Sequence, residues 1–184
     1  MATIRIVAYD PLWPRIFGYL QARIWRQVAH HVQAIVHVGS TSVPGMTAKP
    51  IIDMDIVVAD QSQLAPVIAL LAPLGYHHLG DLGITGREAF SRPAGFPNHN
   101  VYLCPHGSLG LRNHLAVRDY LRVTPAAVSE YNALKQRLAA DVGHDWRAYV
   151  AGKSDFISAI LTTQGLNSAD VAAIHQGNQA LFHS

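Results

Sequence analysis

Cysteine is nearly absent from this chain of 184 residues, with Cys104 standing alone. A lone cysteine excludes an internal disulfide and any CxxC metal site, and it agrees with a reducing compartment, so the expected location is the cytoplasm. Charge is sparse as well: Asp, Glu, Lys and Arg make up 14% of the residues, and the formal net charge is only +2. The cations are scattered rather than gathered into a run, and aromatic residues do not interleave with them, so nucleic acid is not an expected partner. No apolar stretch reaches the length of a membrane span, and Met1–Arg5 lacks the charged start and apolar segment of a signal peptide. Repeats and low-complexity segments are missing too. Eleven histidines are present, but His30-His31 and His77-His78 are adjacent pairs whose side chains diverge, and no HExxH occurs, so a structural zinc site is not expected.

What the chain does have is apolar residues, 49% of the total, enough to bury a core. Asp10-Pro11-Leu12-Trp13-Pro14 predicts a helix start, after which Phe17, Leu20, Ile24, Val28 and Val32 recur at helical spacing and form a face for a sheet. Strands are predicted at Ala34–Val38, Ile51–Val58, Tyr76–Leu79, Glu88–Arg92 and Asn98–Cys104, with a helix over Gln61–Leu74 closed by Gly75. Residues 80–87 form a glycine-rich lip. The last half is helical: Ser108 caps one helix, Thr124-Pro125 starts another, and Asp145 starts a third that ends at Gly165. The expected organisation is one domain over residues 1–165, followed by a C-terminal helical tail over 166–184.

Chemistry concentrates at Val38-Gly39-Ser40-Thr41-Ser42-Val43-Pro44-Gly45 and at Lys49-Pro50-Ile51-Ile52-Asp53-Met54-Asp55-Ile56-Val57-Val58. Two carboxylates at i and i+2 of a strand share one face, here with Ile51 and Val57, while Ile52, Met54, Ile56 and Val58 fill the other. Two like charges held that close need a cation between them. A hard divalent ion suits them, because Mg²⁺ takes one or two protein carboxylates and completes its shell with water and phosphate oxygens. The small-residue turn at Gly39-Ser40 lets backbone N–H groups approach phosphate oxygens, with Ser40 and Thr41 as hydroxyl donors. Lys49 sits just before the strand, where it serves a triphosphate or pairs with Asp53.

Gly39-Ser40 followed by Asp53-x-Asp55 resembles the signature of the nucleotidyltransferase superfamily with the polymerase-beta-like fold. More closely, the ordered segments His37–Gly45, Ala48–Asp53, His99-Asn100-Val101-Tyr102, Arg112-Asn113-His114-Leu115, Arg118–Arg122 and Gly152-Lys153-Ser154-x-Phe156-Ile157 resemble the GrpB family. The resemblance runs from about Tyr9 to Leu161. It implies an α+β fold with a mixed, mostly antiparallel sheet and flanking helices, and it brings no settled substrate.

For that superfamily the implied reaction is a metal-dependent transfer of a nucleoside monophosphate, AMP first of all, from an NTP to a small-molecule acceptor. Asp53 and Asp55 would hold Mg²⁺ or Mn²⁺, and ATP is the expected co-substrate. Active members usually carry a third carboxylate on a neighbouring strand, which here, at His99–Leu103, has none; His99 or Asn100 stands in, with His99 the candidate base. Asp81, Glu88 and Asp119 are the reserve acids. Gly39, Ser40, Thr41, Lys49, Arg112 and Lys153 are the candidate nucleotide-binding residues, with Arg87, Arg92, Arg118, Arg122 and Lys135 as further cations of either cleft or surface. The alternative is a non-catalytic domain that binds a nucleotide or another small anion and has lost turnover with the third acid.

Overall fold

In the computed structural model, which describes residues 4–180, the first helix is α1 (Trp13–Val28). Asp10 accepts a hydrogen bond from the Leu12 N–H at 2.8 Å just before it, and Pro14 lies in the first turn, where its missing N–H has no intrahelical partner to lose. Leu20, Ile24 and Val28 are buried on one stripe. That stripe packs with α2 (Leu64–Leu71) on one face of a five-stranded sheet.

The strands are β1 (Ala34–Val38), β2 (Ile52–Val58), β3 (His77–Gly80), β4 (Glu88–Ser91) and β5 (His99–Pro105). They are ordered β1-β2-β5-β4-β3. Only β2 and β5 run parallel; β1 with β2, β4 with β5 and β3 with β4 are antiparallel. β2 therefore lies inside the sheet. Its Ile52, Met54, Ile56 and Val58 join Val101 and Leu103 of β5 under α1 and α2, which leaves Asp53 and Asp55 on the opposite face.

The C-terminal half covers that opposite face with α3 (Leu109–Val123), α4 (Pro125–Val142), α5 (Trp146–Ala151), α6 (Ser154–Thr163) and α7 (Ser168–Ala180). Leu111 and Leu115 of α3 pack on Val57 and Cys104. A second core joins α3, α4 and α6 to Val43 and Met46 of the loop after β1.

The sequence predicts one helix from Asp145 to Gly165, and the structure has two, because the chain breaks between Ala151 and Ser154. Gly152 lies against α4, where a Cβ would come within 2.5 Å of Leu138 Cδ2, and the break turns Lys153 inward. Asp145 caps α5 as expected, accepting from the N–H groups of Arg147 and Ala148 at 3.0 Å. Ser108 holds the cap position of α3, but its hydroxyl makes no cap bond. The tail helix α7 packs on α3, α5 and α6, and Ile84 of the 80–87 lip sits against its Gly177. Residues 181–184 of the expected tail lie outside the described residues.

Candidate functional site

β1 ends at Val38, which is paired with Asp53 of β2, so the next residue must turn across the Asp53 side chain. Gly39 makes that turn at φ +67 and ψ −175, a combination that is essentially glycine-only. A Cβ on Gly39 would lie 2.4 Å from Asp53 Oδ2. The backbone of the turn is thus pressed onto the carboxylate. Helices hold the loop in place: Arg122 of α3 donates from Nε and Nη2 to the Ser42 carbonyl at 3.1 and 2.9 Å. Asn132 of α4 accepts from the Thr47 N–H and hydroxyl at 2.9 and 3.0 Å.

The two carboxylates have different surroundings. Asp53 is partly buried, and its Oδ1 accepts from Asn100 Nδ2 at 2.7 Å, while Oδ2 accepts from no described residue. Burial pushes its carboxyl above the ordinary range, against the pull of Asn100, His114, Lys153 and Lys49. Asp55 is fully buried. Both of its oxygens lie near Nδ1 of His114, at 3.0 and 2.9 Å, so the ring nitrogen donates to the carboxylate and supplies the partner that a buried acid needs.

Three lysines share a pocket with Asp53. Lys135 of α4, only 1% exposed, donates to Ser40 Oγ at 3.3 Å and to the Thr47 carbonyl. Lys49 and Lys153 lie 5.1 and 4.7 Å from the Tyr149 ring centre. With Ser40, Asp53, Asn100 and Tyr149 the three line an inner lobe of about 200 Å³. This lobe opens into an outer one of about 460 Å³, bounded by Val38, Ile84, Arg87, His114, Arg118 and Trp146 among others. Burial lowers the Lys135 ammonium to about 7, with Lys153 adding to the effect. Burial and then Lys49 lower Lys153 to about 8, with Asp53 opposing.

A base whose folded pKa is depressed sheds its proton before the unfolded chain does, so its charging penalty is full at low pH and is relieved as pH rises above about 7. Thermal unfolding between pH 6.5 and 9.5 is therefore expected to show stability rising more steeply with pH in the wild type than in Lys135→Met. Parallel curves for the two proteins would show that Lys135 stays charged in the fold.

A family model described as GrpB protein matches residues 3–163. The chain belongs to the GrpB family. A GrpB-family protein of known structure, the conserved protein GrpB from Enterococcus faecalis, superposes with a TM-score of 0.78 at 28% identity, covering 87% of this chain and 96% of that one. The UPF0157 protein YqkA of Bacillus subtilis is 34% identical over 154 residues, 84% of this chain and 45% of YqkA, so the chain spans less than half of that relative's length. Cid1 in complex with its short product ApU shares the fold at a TM-score of 0.50 and 10% identity, over 70% of this chain and 41% of Cid1. The GrpB sheet with its flanking helices is thus of the nucleotidyltransferase type.

In this GrpB-family chain the cleft gathers Ser40, Lys49, Asp53 and Lys153 around both lobes, with Gly39 on the outer one. Thr41 also lines the inner lobe, but its hydroxyl is engaged with His37 Nε2 at 2.9 Å. The His37 ring stacks on Phe17 and stays neutral, with its pKa lowered to about 4 by burial and by Arg122 and Arg118. Two expected residues are elsewhere. His99 is registered with Ile52, so it points to the α1/α2 side, bonded to the Tyr76 hydroxyl at 2.8 Å and the Pro97 carbonyl at 2.7 Å. Asn100, registered with Asp53, occupies the cleft position instead. Arg112 leaves the cleft to pair with Asp170 of α7. The reserve acids are also taken: Glu88 pairs with His78, Asp119 with Arg118, and Asp81 accepts from the Gly83 N–H.

Asp53 suits a divalent cation: Oδ2 is unbonded among the described residues, and the carboxylate lines both lobes of the cleft. Asp55 is different, because His114 engages both of its oxygens. Among the described residues no three His, Cys, Asp or Glu side chains form a metal cluster. Of the two acids, only Asp53 keeps an oxygen without a described partner for an ion, and Asp55 could be reached only as His114 gives way.

Proposed function

We propose that this chain binds a nucleoside triphosphate, ATP first, together with Mg²⁺ or Mn²⁺, and transfers its nucleotidyl group to a small-molecule acceptor. One observation carries this: the Gly39-Ser40 turn, the Asp53 carboxylate and the ammonium groups of Lys135 and Lys153 converge on a single two-lobed cleft. Lys135, Lys153 and Lys49 neutralise and position the triphosphate, and the turn offers N–H groups to its oxygens. The bound ion supplies charge stabilisation at the phosphoryl oxygens. The acceptor oxygen forms a bond to the α-phosphorus, the bond from that phosphorus to the pyrophosphate breaks, and the acceptor's proton passes to solvent.

A domain that binds the nucleotide without turning it over is the second possibility, and Asn100 favours it. Its amide donates to Asp53 on the strand where active superfamily members place their third acid. Calorimetric titration of ATP and a non-hydrolysable analogue, with Mg²⁺ and with EDTA, tests both. Binding is expected to need metal and to weaken at least about tenfold in Asp53→Asn, a loss of ~1.4 kcal/mol. Product formed with some acceptor establishes the transferase, while metal-dependent binding without product under any acceptor leaves the binder. Absence of binding in the folded protein rejects both.

A further inference from the structure

Arg87 closes the lip that leads into β4 and is 7% exposed, yet its Nε is buried without a hydrogen-bond partner. No described residue accepts a hydrogen bond from the side chain or forms an ion pair with it. Its guanidinium carbon lies 4.5 Å from the centre of the Tyr102 ring, and Gly110 of α3 is packed against its stem. The side chain lines the outer lobe of the cleft. A guanidinium cannot shed its proton to escape burial, and a ring face replaces only part of its lost hydration. Neither strand acid pairs with it: Asp55 is engaged by His114, and Asp53, bonded to Asn100 through Oδ1 alone, forms no ion pair with Arg87; Arg118 is satisfied by Asp119 and the His37 carbonyl. A guanidinium in a mostly buried side chain, with Nε buried and without a partner and no described acceptor for its other N–H groups, on the wall of a cavity, is complementary to an incoming oxyanion.

We propose that Arg87 binds an oxyanion, a carboxylate or phosphate group, carried by the acceptor, which makes the acceptor an anionic small molecule. This rests on the nucleotidyl-transfer function in naming the ligand as the acceptor; the anion subsite itself does not. The outer lobe suits such a molecule, since Asn113 and Asn178 add polar contacts beside the apolar Ile84 and Trp146.

The test uses inorganic phosphate and malonate as probes, without nucleotide, on wild type, Arg87→Met, Arg87→Lys and, as a surface-cation control on α1, Arg26→Met, each verified as folded by circular dichroism. Thermal unfolding is followed against probe concentration, since a ligand of the native state raises Tm by mass action. Expected is a concentration-dependent rise with at least one probe in wild type and in Arg26→Met, lost in Arg87→Met. In Arg87→Lys, which keeps charge but loses the fork, the rise needs about tenfold more probe. Response to phosphate alone assigns a phosphate ester, and response to malonate alone a carboxylate. A wild type indifferent to both, or a response that survives in Arg87→Met, overturns the proposal. Because nucleotide is absent throughout, a failure of ATP to bind leaves this result standing.

Discussion

Replacing His114 with alanine is expected to destabilise the fold by about 3–5 kcal/mol, the usual cost of stripping the partner from a buried charge. For a chain of this length that is a fall in Tm of roughly 10 °C. Asp55 is 0% exposed, sits in the interior strand β2, and has its two oxygens 2.9 and 3.0 Å from one donor, His114 Nδ1. The alanine variant removes that donor and leaves the carboxylate between Val57, Cys104 and the α3 face with nothing in its place. Lost packing of the imidazole on Tyr102, whose ring centre is 5.4 Å away, adds less, because the His114 side chain is still 20% exposed. Urea unfolding of a double-mutant cycle separates the two terms. Adding Asp55→Asn to His114→Ala removes the stranded charge and is expected to recover stability; a double variant weaker than the single one would assign the cost to packing instead.

Gly39→Ala is expected to disable the site while leaving most of the fold intact. Two physical causes act at once. The backbone conformation costs about 1–3 kcal/mol for a residue with a side chain, and the added methyl must displace the Asp53 carboxylate, whose Oδ2 and Cβ would lie 2.4 and 2.9 Å from it. Asp53 cannot yield in place, because Asn100 holds its other oxygen at 2.7 Å and β1 and β5 flank its strand. Metal-dependent nucleotide binding is expected to weaken at least about a hundredfold, ~2.7 kcal/mol. Gly45→Ala is the control: φ there is +78, but no atom lies within 4 Å of the added carbon. That variant should lose stability alone and bind as the wild type does. Equal binding losses in both variants would mean that loop strain, rather than the contact with Asp53, governs the site.

Parts of this site were legible because local chemistry dictated them. Period-two alternation put Asp53 and Asp55 on one strand face and four aliphatic residues on the other, and burial of that aliphatic face left no other register. The glycine-serine turn before them and the order of strands and helices followed from the same kind of local signal. His99 and Asn100 show where local signal ends. Both faces of β5 carry a polar residue at its start, so alternation says that they diverge without saying which one meets Asp53; pairing of His99 with Ile52 decided it. Arg112 and His114 are a similar case on α3. Two residues of helix rotate by about 200°, so one of them meets α7 and the other Asp55. Nothing local ranks Arg112 below His114.

The sequence by itself determined the Gly39 turn and the shared face of the two acids, because each rests on spacing within a few residues, while the type of fold was implied by the resemblance of its ordered motifs to the GrpB family. Tertiary structure alone decided which donors and cations surround those acids and the turn. His114 lies 59 residues from Asp55, Lys135 lies 95 residues from Ser40, and Lys153 enters the cleft because the helix breaks at Gly152 against Leu138. Arg87 was left unpaired by the same packing. Long-range pairings of this kind leave no periodic trace in the chain, since they depend on how α3, α4 and α6 dock over the sheet.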